Sequence, residues 1–172
     1  LISIVIPNSV TGIGNYAFVG CDDLVSIDFG EGLTWIGNAA FSGCESLASV
    51  VLPDSVETIR ELAFINCSRI TSVIIGKSVG RIEAMAFDGC ESLVSVYCKP
   101  NTPPSAYLGQ YPKWYAFSDN ASNRKIYVPT QSVTTYKQKS GWTEYADAIV
   151  GYDFNTTITP DGGIDDAEED DE

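Results

Sequence analysis

The sequence predicts a repeat solenoid: a right-handed superhelix on a parallel β-sheet, with short second strands, tight helical turns and a C-terminal cap. Three observations carry that expectation. An Ala-Phe pair falls at 17–18, 40–41, 63–64 and 86–87, a constant step of 23 residues. Cys21, Cys44, Cys67 and Cys90 keep the step, as do Ile13, Ile36, Ile59 and Ile82, and Val10, Leu33, Val56 and Val79. Ahead of these runs an apolar triplet with spacing L-x-x-L-x-L: Leu24, Ile27, Phe29; Leu47, Val50, Leu52; Ile70, Val73, Ile75. One such unit cannot bury its apolar face alone, so stacked copies share a continuous core.

Each element follows from its local chemistry. Leu1, Ile4 and Ile6 open the triplet pattern, and Leu93, Val96 and Cys98 repeat it once more. In "LVSIDFGEG" strand alternation turns Ile27 and Phe29 inward and leaves Ser26 and Asp28 outside. Pro7 and Pro53, or Gly30 and Gly76, end the strand, because Pro lacks the ladder donor and Gly suits a turn. The segments "SVTGI", "GLTWI", "SVETI" and "SVGRI" carry apolar residues three apart and form a second, short strand. "NYAFVGC" and its copies then make a tight helical turn back to the next strand. A step of 23 lies inside the range of about 20 to 29 residues of leucine-rich repeats.

The array changes character towards its C-terminus. Ala116-Phe117 recovers the repeat pair 30 residues after Ala86-Phe87, which a seven-residue insertion explains. Asn120 takes the Cys position, and Ile126 and Val128 match Ile27 and Phe29 in the shifted register. "SVTTYKQKSGW" has a Ser N-cap, Val133 and Tyr136 three apart, Lys in its last turn and Gly141 as stop, a short capping helix. "WTEYADAIVGYDF" is expected to pack over the end of the stack. The organisation is residues 1–98 as 23-residue repeats, 99–154 as a degenerate last repeat with the cap, and 155–172 as an acidic tail or linker. The N-terminus starts in repeat phase without a cap, and its open strand edge is a pairing hazard, so further residues upstream are expected.

Composition narrows the function. The net charge of −13 is concentrated in "DGGIDDAEEDDE", whose eight acidic residues, once removed, leave −5 for residues 1–160. A mildly acidic body with no Lys/Arg stripe excludes a nucleic-acid surface. No apolar run approaches the roughly 18 residues that span a bilayer. There is no His, which removes Ser-His and Cys-His nucleophile pairs. Gly12 and Gly14 have no glycine counterparts at Arg60 and Glu83, so they make no phosphate cradle. Asp22 and Asp23 lie in a repeat turn, where solvation is the default. No enzyme, no cofactor and no metal site is expected.

The repeating Cys is the sharpest candidate for chemistry, and spacing argues against it. Zinc sites use closely spaced Cys or Cys/His pairs, not 23-residue gaps. Adjacent turns about 4.8 Å apart lie within disulfide range, yet in-register side chains run parallel and would pair only alternately. A reactive thiol needs an electropositive, partly open setting that nothing here supplies. The remaining reading is a buried ladder of small thiols, with Cys98 buried as well.

The consensus L-x-S-[IV]-x-[IL]-P-x-S-V-x-x-I-x-x-x-A-F-x-G-C, clear over residues 1 to 98, resembles the BspA-like leucine-rich repeats of bacterial surface proteins. "IYVPTQSVTTYKQKSGWTEYADAIVGYDF" is similar to the terminal segment of Bacteroides members. The resemblance implies a non-enzymatic module, at a bacterial cell surface (outer-membrane anchored) or secreted, for adhesion or protein binding, host matrix proteins included. Solenoid geometry offers the outer sheet face for that role. Its outward positions are a Ser column (Ser3, Ser26, Ser49, Ser72, Ser95) beside Val5, Asp28, Val51, Ile74 and Tyr97. Val51, Ile74 and Tyr97 would form an apolar strip in solvent unless Thr102–Lys113 folds over it. A second platform is the aromatic cluster Tyr107, Tyr111, Trp114, Tyr115 and Phe117, which would either stack on a glycan or form the cap's own core. A structural spacer is the third reading.

Overall fold

The structure, a computed structural model, describes residues 2–106 and 115–155. Each repeat contributes a longer strand and then a short one: β1 (Ser3–Val5) and β2 (Gly12–Ile13), β3 (Ser26–Asp28) and β4 (Trp35–Ile36), β5 (Ser49–Val51) and β6 (Thr58–Ile59), β7 (Ser72–Ile75) and β8 (Arg81–Ile82), β9 (Ser95–Cys98) and β10 (Ser105–Ala106). Strand β11 (Lys125–Pro129), helix α1 (Val133–Gln138) and strand β12 (Ile149–Tyr152) follow.

The register is that of the repeat. Ser49, Ser72 and Ser95 lie side by side, as do Val50, Val73 and Val96. The short strands form one parallel sheet in the order β10-β8-β6-β4-β2, and the longer ones a parallel sheet β12-β11-β9-β7-β5 with β1-β3 as a separate pair. No ladder joins β3 to β5, although the Ala48 N–H still donates to the Val25 carbonyl at 3.2 Å. The degenerate repeat keeps the pattern: β10 sets Ala106 beside Ile82, and β11 sets Ile126 beside Val96. The segment expected only to cover the end adds a strand, β12, parallel to β11.

The corners explain the "NYAFVGC" motif. Successive N–H groups alternate in direction. Those of Ala17, Val19 and Cys21 donate to carbonyls three residues back, while those of Tyr16, Phe18 and Gly20 donate to Asn38, Ala40 and Ser42 of the next repeat. The alternation needs left-handed backbone at two places per turn. Gly20, Gly43 and Gly89 take one, with Asn66 and Asp119 in the same phase. The other is taken by Tyr16, Ala39, Leu62 and Met85, where glycine would be the cheaper residue.

Inside each corner the Phe side chains stack in one column. Phe18, Phe41, Phe64, Phe87 and Phe117 are 5.1 to 5.3 Å apart with rings 4 to 6° from parallel. Phe117 joins this column despite its displaced sequence position. The core continues through Leu24, Leu47, Ile70 and Leu93, all fully buried.

Beyond Phe117 the cap supplies what another repeat would have. Tyr136, Trp142, Tyr145 and Ile149 are buried, and Trp142 and Tyr145 close on the Phe117 ring at 6.2 and 5.7 Å. Their polar ends are satisfied: Tyr136 Oη donates to the Pro100 carbonyl at 2.7 Å and Trp142 Nε1 to the Pro104 carbonyl at 2.8 Å. The helix ends before the glycine expected to stop it: Lys139 is already extended at φ −74° and ψ 128°, and Gly141 takes φ +84° two residues on. Ser132 stands at the N-cap of α1 without a side-chain capping bond.

Candidate binding surface

The inner face of the long sheet is core, and its outer face carries the Ser column and the residues beside it. There the expected solvent-facing strip of Val51, Ile74 and Tyr97 is corrected at two of its three residues. Val5 is 69% exposed and Val51 39% exposed, with Asp28 between them open to solvent, but Ile74 is 5% exposed and Tyr97 3%. Aromatic rings from the C-terminal segment account for Tyr97. Tyr127 stacks on it at 4.8 Å and Tyr152 meets it edge-on at 5.5 Å. Tyr127 in turn meets Tyr152, and Tyr152 meets Phe154, at 5.7 and 4.9 Å.

The outward column therefore runs further than its sequence reading. Tyr127 lies beside Tyr97, and Val150, 38% exposed, lies beside Tyr127. The signal for Tyr127 was present, since Ile126 and Val128 point inward and alternation turns Tyr127 out. Val150 and Tyr152 had no such signal, because "IVGY" falls outside the repeat.

The aromatic cluster is only partly in view: Tyr107, Tyr111 and Trp114 lie outside the described residues. Phe117 is buried in the Phe column, and Tyr115 is half-buried with its ring edge-on to Tyr145 at 6.3 Å. The described members thus serve the cap's own core.

All five cysteines are free thiols. Cys44, Cys67, Cys90 and Cys98 are buried, whereas Cys21 is half-buried at the first turn. The sulfurs form a ladder: those of Cys44, Cys67 and Cys90 donate to the carbonyls of Phe18, Phe41 and Phe64 at 3.3, 3.1 and 3.2 Å. Asn120 continues it, its Nδ2 donating to the Phe87 carbonyl at 2.8 Å and to Ser118 and Cys90 at 2.9 and 3.3 Å. Arg124 braces Asn120 from behind, with Nη1 on its Oδ1 at 2.9 Å and on the Phe117 carbonyl at 2.7 Å. Burial pushes the Cys90 and Cys98 thiols up to about 12. The contact with Cys44 and burial together raise Cys67 as well. Raised thiols are poor nucleophiles.

Nothing else in the described residues supplies reaction chemistry. No group of three or more His, Cys, Asp or Glu is placed to hold a metal. Asp22 and Asp23 are exposed. On the second sheet Trp35, Glu57, Arg60, Arg81 and Glu83 help line an open hollow of about 390 Å³. Trp35 lies flat over Gly12, where a Cβ would fall 2.1 Å from the indole, and the Arg60 guanidinium covers the ring at 5.1 Å.

The repeat geometry has a counterpart among known families. The model of the BspA type leucine rich repeat region matches residues 1–107 and 72–140, in six copies. The chain belongs to the BspA-type leucine-rich repeat family. At family level it is a non-catalytic module associated with cell surfaces and adhesion. No curated protein matches the chain in sequence.

Three solved structures share the BspA-type fold. A leucine-rich repeat protein from Bacteroides ovatus is 24% identical with a TM-score of 0.59, over 74% of this chain and 30% of that one. The T. pallidum leucine-rich repeat protein is 24% identical with a TM-score of 0.63, over 87% and 68%. The pneumococcal vaccine antigen PcpA is 21% identical with a TM-score of 0.60, over 87% and 39%. The chain thus spans under half the length of the B. ovatus and pneumococcal proteins. No helix among the described residues is long and apolar enough to cross a membrane.

Proposed function

We propose that this chain is the binding part of a bacterial surface or secreted adhesin and recognises a protein partner, such as a host matrix protein, through the outer face of its long sheet. The observation that carries this reading is one outward column along stacked parallel strands: exposed Val5 and Asp28 on the β1–β3 pair, exposed Val51 at one edge of the long sheet, and half-buried Tyr127 with exposed Val150 at the other. Exposed apolar side chains arranged in a row on an ordered surface suit partner contact. Ile74 and Tyr97 act as the buried floor that holds the aromatic end rigid. Strand pairing fixes the spacing of these residues within each sheet, so little ordering cost is paid on binding.

The test is surface plasmon resonance of the chain over immobilised matrix proteins (collagen, laminin and fibronectin). Val51→Glu with Val150→Glu is expected to lower the affinity for whichever protein binds by about tenfold or more, the range of losing two well-packed contacts. Both positions are exposed, so folding is kept. Binding that survives the double change would remove the sheet face as the site.

A further inference from the structure

Lysine is scarce in this acidic chain, yet three of its six lysines gather on one edge of the solenoid. The cause is the turn that ends each long strand. Strands β7 and β9 run out into Gly76-Lys77 and Cys98-Lys99, which places both side chains beyond the C-terminal ends of the sheet. There they line an open cleft of about 740 Å³ with Asn101, Gln131, Tyr152 and Phe154. Lys77, Lys99 and Asn101 also line an adjoining hollow of about 500 Å³ that reaches Lys139 and has no acidic residue in its wall.

Cleft and hollow together carry one cation in excess, Lys77, Lys99 and Lys139 against Asp54 and Asp153. Asp54 serves two ammonium groups, with Lys77 Nζ at 3.2 Å and Lys99 Nζ at 3.9 Å. It also accepts the Lys77 backbone N–H at 3.0 Å, which holds it in place. Asp153, the other carboxylate of the cleft, accepts from the Asn155 backbone and side chain at 3.0 and 2.7 Å. Amide groups sit between the cations and the aromatic wall: Gln131 Nε2 donates to Asn101 Oδ1 at 2.9 Å, which fixes both carboxamides at the cleft. Phe154 stands at that wall, its ring 4.9 Å from Tyr152 and inclined by 61°.

Each part of this trough selects a chemical feature. Ammonium groups take carboxylate or sulfate, carboxamides pair with hydroxyls, and an aromatic ring takes the apolar face of a sugar. An acidic peptide would use the lysines but brings no flat apolar face for Phe154. A small ligand would need an enclosed pocket, whereas this cleft is open and shares Lys77, Lys99 and Asn101 with the adjoining hollow. We propose that the trough binds an acidic polysaccharide, a chain of sugars bearing carboxylate or sulfate groups, with Lys77, Lys99 and Lys139 on its acid groups and Phe154 against a sugar ring. The trough lies at the ends of the long strands and adjoins the outer sheet face, with which it shares Tyr152.

Isothermal titration of the full chain tests it with four probes: an oligogalacturonate, a heparin-derived oligosaccharide, a neutral malto-oligosaccharide and hexaglutamate. The expected result is salt-sensitive binding of one or both acidic sugars, which also separates carboxylate from sulfate preference. Replacing Lys77, Lys99 and Lys139 together by Gln should weaken it by about tenfold, as three exposed charge contacts of modest strength imply. Lys125→Gln with Lys137→Gln, on exposed positions elsewhere, should change it by less than about twofold. Phe154→Ala should weaken it without altering its salt dependence. The proposal is overturned if neither acidic sugar binds, if both lysine sets lose affinity equally, or if hexaglutamate binds as tightly as the sugars.

Discussion

Phe18 and Phe117 hold the same place in the first and last corners of the stack, and their surroundings differ. Phe18 stacks on Phe41 at 5.1 Å and is half-buried. Phe117 stacks on Phe87 at 5.3 Å and is closed on its other side by Trp142 and Tyr145, which leaves it 2% exposed. The same holds for Ile4 against Ile126, half-buried against fully buried. A repeat's apolar residues owe their burial to the neighbouring turn more than to their own, so position in the stack sets what each copy of a motif is worth.

The widest gap is expected between two identical substitutions. Phe64→Ala, in the middle of the column, should cost about 3–5 kcal/mol by urea unfolding, the range for a buried Phe. Phe18→Ala removes a ring with one stacking partner and should cost less than half as much. Equal losses would show that the first turn carries as much of the cooperative unit as the middle. Next in size is Asn120, which closes the sulfur ladder. Asn120→Ala leaves the Phe87 carbonyl without its 2.8 Å donor and should cost about 1–3 kcal/mol. Asn120→Cys restores the side chain of the other repeats and should recover part of the loss. The smallest effect is chemical. At pH 8 a thiol reagent should label one residue of the folded chain, Cys21, and all five after unfolding without reductant. Cys90 and Cys98, with pKa values held up at about 12 by burial, remain protonated there. Native labelling of two or more thiols would break the contrast between the first corner and the others.

Legibility followed periodicity. The inward columns, the short second strands, the shifted register at Phe117 and the buried thiols were readable because a side chain repeated every 23 residues must meet its own copy. Cys21 was the exception, since its column has no copy before it. The positive φ angles of Tyr16, Ala39, Leu62 and Met85 left no trace, because no glycine marks them. The interruption between β3 and β5 left none either. At the candidate surface, alternation placed Val5, Asp28 and Val51 outside correctly. It placed Ile74 and Tyr97 outside as well; Tyr97 is covered by Tyr127 and Tyr152, the latter beyond the repeat, and Ile74 lies between Val51 and the covered Tyr97. The lysine edge lay in turn positions, where spacing alone says nothing about what gathers around them.

The hydrogen bonds between turns also set how the molecule meets a pull. They join each turn to the next along the stacking direction, so traction along the stack loads one rung after another instead of shearing a whole sheet at once. The Tyr136 and Trp142 bonds to Pro100 and Pro104 stitch the far end back across the last repeat. Each turn that peels away releases roughly 75 Å of chain at about 3.3 Å per residue. Under load such a stack would lengthen in steps, one turn at a time.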